Sequence, residues 1–215
     1  MLYRTFTNRS ILIAKAAATM MVFIFLFLVI QQEYDNAKLR KLNNFAPRSY
    51  EYVIELMDGN KSFDRWQVED YEHYYKMLVA YIPNRADAYG MLGFCTYHLR
   101  KSQEAIRYYQ KAVELNPQFF WFHYNLGVLY LQRGEYTKAI EALKAARATQ
   151  PNDTLKFLLS SKVYRPILAD LADTDLPKEK LKKGFQNCFD VETAILQRNE
   201  RALFLFKNSL RPQIF

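Results

Sequence analysis

Glycine, cysteine and histidine are scarce in this chain, with six, two and three of them in 215 residues, and each scarcity closes off a class of function. The scattered glycines form no glycine-rich phosphate loop and no G-x-S-x-G elbow, and the two cysteines form no Cys-x-x-Cys. His73, His98 and His123 show no HxxxH spacing, and no paired metal-binding carboxylates accompany them. Cys95 and His98 stand three apart on one helix face, which is half a metal site and no more. No enzyme activity, cofactor or metal is expected. Cys95, beside Phe94, reads as a buried thiol behaving like a small apolar residue. Cys188 lies far off in the C-terminal segment, and a bond between the two is left open.

A concentrated basic field is missing as well. The formal charge of +8 is shared: residues 1–47 hold six basic and two acidic residues, the remainder 24 and 20. Nucleic acid is not an expected partner. The densest cluster, Lys178, Lys180, Lys182 and Lys183, reads as a solvated helix end closed by Gly184, with contact to anionic lipid or an acidic partner as the other reading.

What the chain has in quantity is apolar surface: half of its residues are hydrophobic and 16% aromatic, enough for a sizeable core. Between Ile11 and Ile30 the only charge is Lys15. About 20 such residues cross a bilayer core of ~30 Å, and a lysine near the end reaches the interface along its stem. Met20 to Ile30 is apolar on every face, which argues against a surface helix of a soluble domain. Arg4 and Arg9 would suit a secretory signal, but no small-x-small site follows Ile30, so an uncleaved signal-anchor spanning the lipid bilayer is expected. Arg4, Arg9 and Lys15 before the span nearly balance Lys38, Arg40 and Lys41 after it. The orientation read from them is single-pass in a bacterial inner membrane with the following domain in the periplasm; the alternative places that domain in the cytosol. The run Ala14, Ala16, Ala17 and Ala18 offers a small-residue patch for self-association.

The stretch from Tyr89 to Pro151 repeats itself at a fixed interval. Tyr89 pairs with His123, Leu92-Gly93 with Leu126-Gly127, Ala105 with Ala139, Ala112 with Ala146 and Pro117 with Pro151, each pair 34 residues apart. Small residues recur where two helices would cross, and proline recurs in the turn that opens the next unit.

These residues resemble the tetratricopeptide repeat family, whose pattern is W-x2-L-G-x2-Y…A-x3-F…P. One unit reads Tyr89, Leu92, Gly93, Thr96, Ala105, Tyr109, Pro117, and the next His123, Leu126, Gly127, Tyr130, Ala139, Leu143, Pro151. Thr96, His123 and Leu143 depart from the pattern without disturbing the crossing. The resemblance implies an all-α solenoid that holds protein partners on its inner face. That face would be lined by Asp87, Gly90, Phe94, Tyr97 and His98, then by Trp121, Tyr124, Val128, Leu131 and Gln132. Asn125 occupies one position of the clamp with which repeats of this kind grip acidic chaperone tails, but Gly90 and Phe94 stand where that clamp needs Lys and Asn. The predicted partner-binding set is Phe94, Tyr97, His98, Trp121, Tyr124, Asn125, Val128 and Leu131, an aromatic groove whose truncation to alanine should spare folding.

The flanks are weaker. Pro83, Gly59 and Tyr75 fall one period before Pro117, Gly93 and Tyr109, so Arg48 to Arg85 reads as a degenerate unit, with Tyr71 spreading its helices where alanine is usual. Asp153 to Tyr164 reads as the first helix of a further unit, N-capped by Asp153 and broken by Pro166 and Asp173. Asp190 to Asn208 reads as one helix capped by Asp190, with Val191, Ile195, Ala202, Leu205 and Phe206 as an apolar stripe that covers the solenoid's end or docks on a partner. Leu210 to Phe215 is a hook or a frayed end. The expected layout is a tail (1–10), a transmembrane helix (11–30), a juxtamembrane segment (31–47), the degenerate repeat (48–85), two repeats (86–119 and 120–153), a partial repeat (154–187) and a capping or docking helix (188–215). The function that follows is a membrane-anchored scaffold or assembly factor for a membrane-associated protein, or else an accessory subunit held in a larger complex by its span.

Overall fold

The computed structural model describes residues 2–43, 51–58, 64–169 and 175–215, and every regular element among them is an α-helix. Arg48, Gly59 and Asp173, which figured in the expected flanks, lie outside the described residues. The chain divides into two compact units, Met1–Ala46 and Pro47–Phe215, each described by itself.

The first unit is one helix, α1 (Leu2–Asn43), of 42 residues. At about 1.5 Å per residue it is roughly 63 Å long, about twice a bilayer core. Its apolar stretch, Ile11–Lys38, is long and apolar enough to cross a membrane. Among the described residues nothing covers that stretch: Leu12 is 70% exposed, and Phe23 and Ile30 are each 67% exposed. The helix continues through most of the segment expected to be juxtamembrane, where Arg40 meets Glu33 at 3.7 Å and Lys38 sits 4.0 Å from the Tyr34 ring centre.

The second unit begins with α2 (Glu51–Asp58) and α3 (Arg65–Tyr81), followed by α4 (Ala86–His98), α5 (Ser102–Leu115), α6 (Phe120–Gln132) and α7 (Tyr136–Ala148). The pairs α4/α5 and α6/α7 are the two repeats. They pack closely because a Cβ on Gly93 would lie 2.8 Å from the Tyr109 ring, and one on Gly127 would lie 2.5 Å from Leu143 Cδ2. Leu143 therefore does for the second repeat what Tyr109 does for the first. Thr96 is accommodated by a buried bond, its hydroxyl donating to the Leu92 carbonyl at 2.6 Å. Each repeat turns on a residue in the left-handed region, Arg100 (φ 64°) and Gly134 (φ 77°). The turn closes with Lys101 N–H bonded to the Thr96 carbonyl at 2.8 Å and Glu135 N–H to the Tyr130 carbonyl at 2.9 Å, a Schellman closure.

Upstream, α3 packs on α4, and the carboxylate of Glu72, 6% exposed, bonds Lys76 at 2.7 Å and Lys101 at 2.9 Å. Burial alone would raise its pKa, but the two ammonium groups outweigh burial and hold it below the usual carboxylate value. Tyr71 is buried on α3, while α2 packs on the later helix α9 (Tyr164–Ala169) and reaches the start of α3 through the Tyr52 hydroxyl and Asp64 backbone.

Downstream, three expectations are corrected. The helix expected from Asp153 to Tyr164 is α8 (Pro151–Ser160), with Pro151 in its first turn and Gln150, not Asp153, at the N-cap. Pro needs no N–H there, so the helix starts earlier. Tyr164 opens α9 instead, and Pro166 is tolerated within that helix's first turn. Gly184 does not close a helix; it lies inside α10 (Leu176–Leu196), a helix of 21 residues. The helix expected from Asp190 to Asn208 is two: α10 stops at Leu196, Arg198 turns at φ 52°, and α11 (Glu200–Ser209) starts from Asn199, whose side chain accepts from Ala202 N–H. That turn rotates the inward face of α11, so Leu203 is buried and Leu205 is 58% exposed.

Candidate functional site

The inner faces of α4 and α6 bring the predicted residues together, and the structure places them under a cover. Phe94, Trp121, Tyr124, Val128 and Leu131 are each at most 2% exposed, and Asn125 is 1% exposed. Tyr97, His98 and Gln132 are half-buried. The expectation that Phe94 and Trp121 can be cut to alanine without cost is therefore wrong: both are core side chains, and their truncation costs on the order of 3–5 kcal/mol.

At the α4 end, Asp87 is held by Arg85 at 2.6 Å and accepts from the Ser161 hydroxyl at 2.5 Å. A side chain at Gly90 would collide with the Tyr164 hydroxyl and the Phe122 ring, so this end is filled by α9.

At the α6 end, α10 lies across the aromatic wall. A Cβ on Gly184 would come within 2.8 Å of the Phe120 ring and 3.0 Å of Trp121. Phe185 stacks on Phe120 with ring centres 4.5 Å apart, and Asn187 donates to the Tyr124 hydroxyl at 3.2 Å. On the far side, Glu192 bonds Arg147 at 2.8 Å, tying α10 to α7. Asn187 was not singled out in the sequence, and Gly184 was read there as a helix end, although a lone glycine inside a helical pattern also marks close packing.

The remaining cover is the extended segment 210–215. Asn125 donates from Nδ2 to the Gln213 carbonyl at 2.7 Å and accepts from the Gln213 N–H at 2.8 Å. Gln132 donates to the Leu210 carbonyl at 3.0 Å and to the Tyr97 hydroxyl at 3.3 Å. Ile214 and Phe215 are 3% and 0% exposed, so this end is a hook. Beside it a cleft of about 550 Å³ stays open, lined by Trp121, Tyr124, Lys183, Asn187, Arg211 and Gln213 among others.

Burial dominates the electrostatics of this region. Burial pushes the Cys95 thiol far up and Cys188 up to about 12, so both are protonated, and both are free thiols. Burial, with Arg100 and Arg211 nearby, pulls the His98 imidazole down to about 4. Its Nε2 has no hydrogen-bond partner among the described residues, while its ring packs on Phe94 with centres 4.5 Å apart.

A family model described as a tetratricopeptide repeat matches residues 96–154, the span from the close of α4 to the opening of α8. The similarity to that family covers this span of the chain. The Hsp70-Hsp90 organising protein of Plasmodium falciparum is 28% identical over 80 residues, covering 37% of this chain and 14% of that one. The TPR repeat-containing protein MJ1428 of Methanocaldococcus jannaschii is 24% identical over 166 residues, covering 68% of this chain and 29% of its own length. The chain thus spans less than a third of either relative. Among solved structures, MamA superposes with a TM-score of 0.39 at 25% identity, covering 60% of this chain and 71% of that one. Tetratricopeptide repeats are commonly non-catalytic modules of protein–protein interaction.

Proposed function

We propose that this chain is a non-catalytic, membrane-anchored tetratricopeptide scaffold whose α4/α6 face holds an extended segment of a partner protein. The observation that carries this reading is the way Asn125 and Gln132 grip main-chain atoms of an extended strand, a mode of holding that is indifferent to most side chains of the occupant. Phe94, Trp121, Tyr124, Val128 and Leu131 form the packed wall behind that grip, with Tyr97 and His98 at its rim. Asn125 is kept from the chaperone-tail role by the missing Lys and Asn partners at Gly90 and Phe94.

The apolar, uncovered stretch Ile11–Lys38 supports the anchor. The basic residues are equal in number on the two sides but lie closer on the N-terminal side, which supports a single-pass arrangement with the repeats in a bacterial periplasm. Co-purification from gently solubilised membranes tests the reading. Tyr97→Ala with Gln132→Ala should lose a membrane-associated partner while the helical spectrum stays unchanged. Partners retained by that variant but lost when residues 11–30 are exchanged for an unrelated span would instead make the chain an accessory subunit held by its helix.

A further inference from the structure

We propose that residues 210–215 are an internal ligand that occupies the partner's place, and that the partner segment displacing them shares their chemistry: an extended strand with a proline followed by two large apolar side chains. The inference rests on the groove reading above and adds the occupant. Three of the bonds holding the segment run from side chains of α6 to its backbone, two from Asn125 and one from Gln132. Any extended peptide offers the same carbonyl and N–H groups, so these bonds hold without selecting. Selection comes from the buried side chains Pro212, Ile214 and Phe215.

The segment is built to leave. Leu210, Arg211 and Gln213 are only half-buried, and the cleft of about 550 Å³ runs along one side of them. Its tether is short and fixed, since α11 is pinned next to it by Lys207 donating to the Tyr136 hydroxyl at 2.9 Å. A segment tethered so closely competes at an effective concentration on the order of millimolar. A free peptide that binds the emptied groove at about 10 μM should therefore bind the intact chain roughly 100-fold more weakly.

The test is fluorescence anisotropy of a labelled Leu-Arg-Pro-Gln-Ile-Phe peptide with the full chain in detergent micelles. Three forms are compared: the intact chain, the chain ending at Ser209, and Gln213→Pro, which removes the N–H that Asn125 accepts. The inference expects weak binding by the intact chain, at least tenfold tighter binding by the other two, and loss of that gain when Asn125→Ala is added. Should the shortened chain lose its helical spectrum, Gln213→Pro decides alone. Equal binding by all three forms overturns the inference, as does no binding by a folded, opened form. Conversion of a dimer to a monomer on shortening also overturns it, because the segment would then be an exchange arm between copies. Peptide binding is read with no native partner present, so it can fail while the co-purification succeeds.

Discussion

The hydroxyl of Thr154 accepts a hydrogen bond from the backbone N–H of Phe120 at 3.1 Å, across a separation of 34 residues. The start of α8 thus satisfies an otherwise unpaired donor at the start of α6, tying the second repeat to the helix that follows it. Thr154→Val keeps the shape and strands that buried N–H, at an expected cost of about 1–3 kcal/mol. Urea unfolding reads the loss, and Thr154→Ser should restore most of it.

Gly184 offers a test by sign. At an exposed mid-helix glycine, alanine stabilises by roughly 1 kcal/mol. Here the added methyl meets the Phe120 and Trp121 rings at 2.8 and 3.0 Å, so Gly184→Ala should destabilise by about 1–3 kcal/mol. A raised melting temperature would show that α10 does not lie against α6 this closely.

Gly134, at φ 77°, closes the second repeat in a region that other residues enter at a cost. Gly134→Ala should lower stability by about 1 kcal/mol, and Arg100→Gly at the equivalent turn should not lower it. Paired thermal melts of the two variants check this.

His98 gives stability a pH dependence of known sign. Its pKa falls from 6.5 in the unfolded chain to about 4 in the folded one. Between those values the unfolded chain binds the extra proton, so stability is full above pH 6.5 and declines as pH falls toward about 4. His123, also lowered by burial against the raising effect of its bond to the Pro117 carbonyl, adds with the same sign. His98→Gln should shrink, without abolishing, the difference in urea midpoint between pH 7.5 and pH 5.

The repeats were legible in the sequence because their signals are local and doubled: Gly93 and Gly127, Ala105 and Ala139 repeat in register, and in the structure Gly93 lies against Tyr109, Gly127 lies against Leu143 and both alanines are buried. The C-terminal third was not, because its order comes from contacts across the fold. Nothing near Gly184 says that Phe120 lies over it, and nothing near Gln213 says that Asn125, 88 residues earlier, will pair with its backbone. The groove residues came from the family resemblance, carried over position by position along α4 and α6. Their burial was missed, since spacing along α4 and α6 carries no information about what the rest of the chain lays over them.

The most direct measurement is photocrosslinking in intact membranes, with a photo-activatable amino acid at Tyr97 on the groove rim and, as a control, at the exposed Lys111 on α5. The account predicts an adduct with another protein from position 97 and none from position 111. Adducts from position 97 that join only residues of the same chain, with a second protein captured from position 111, would contradict it.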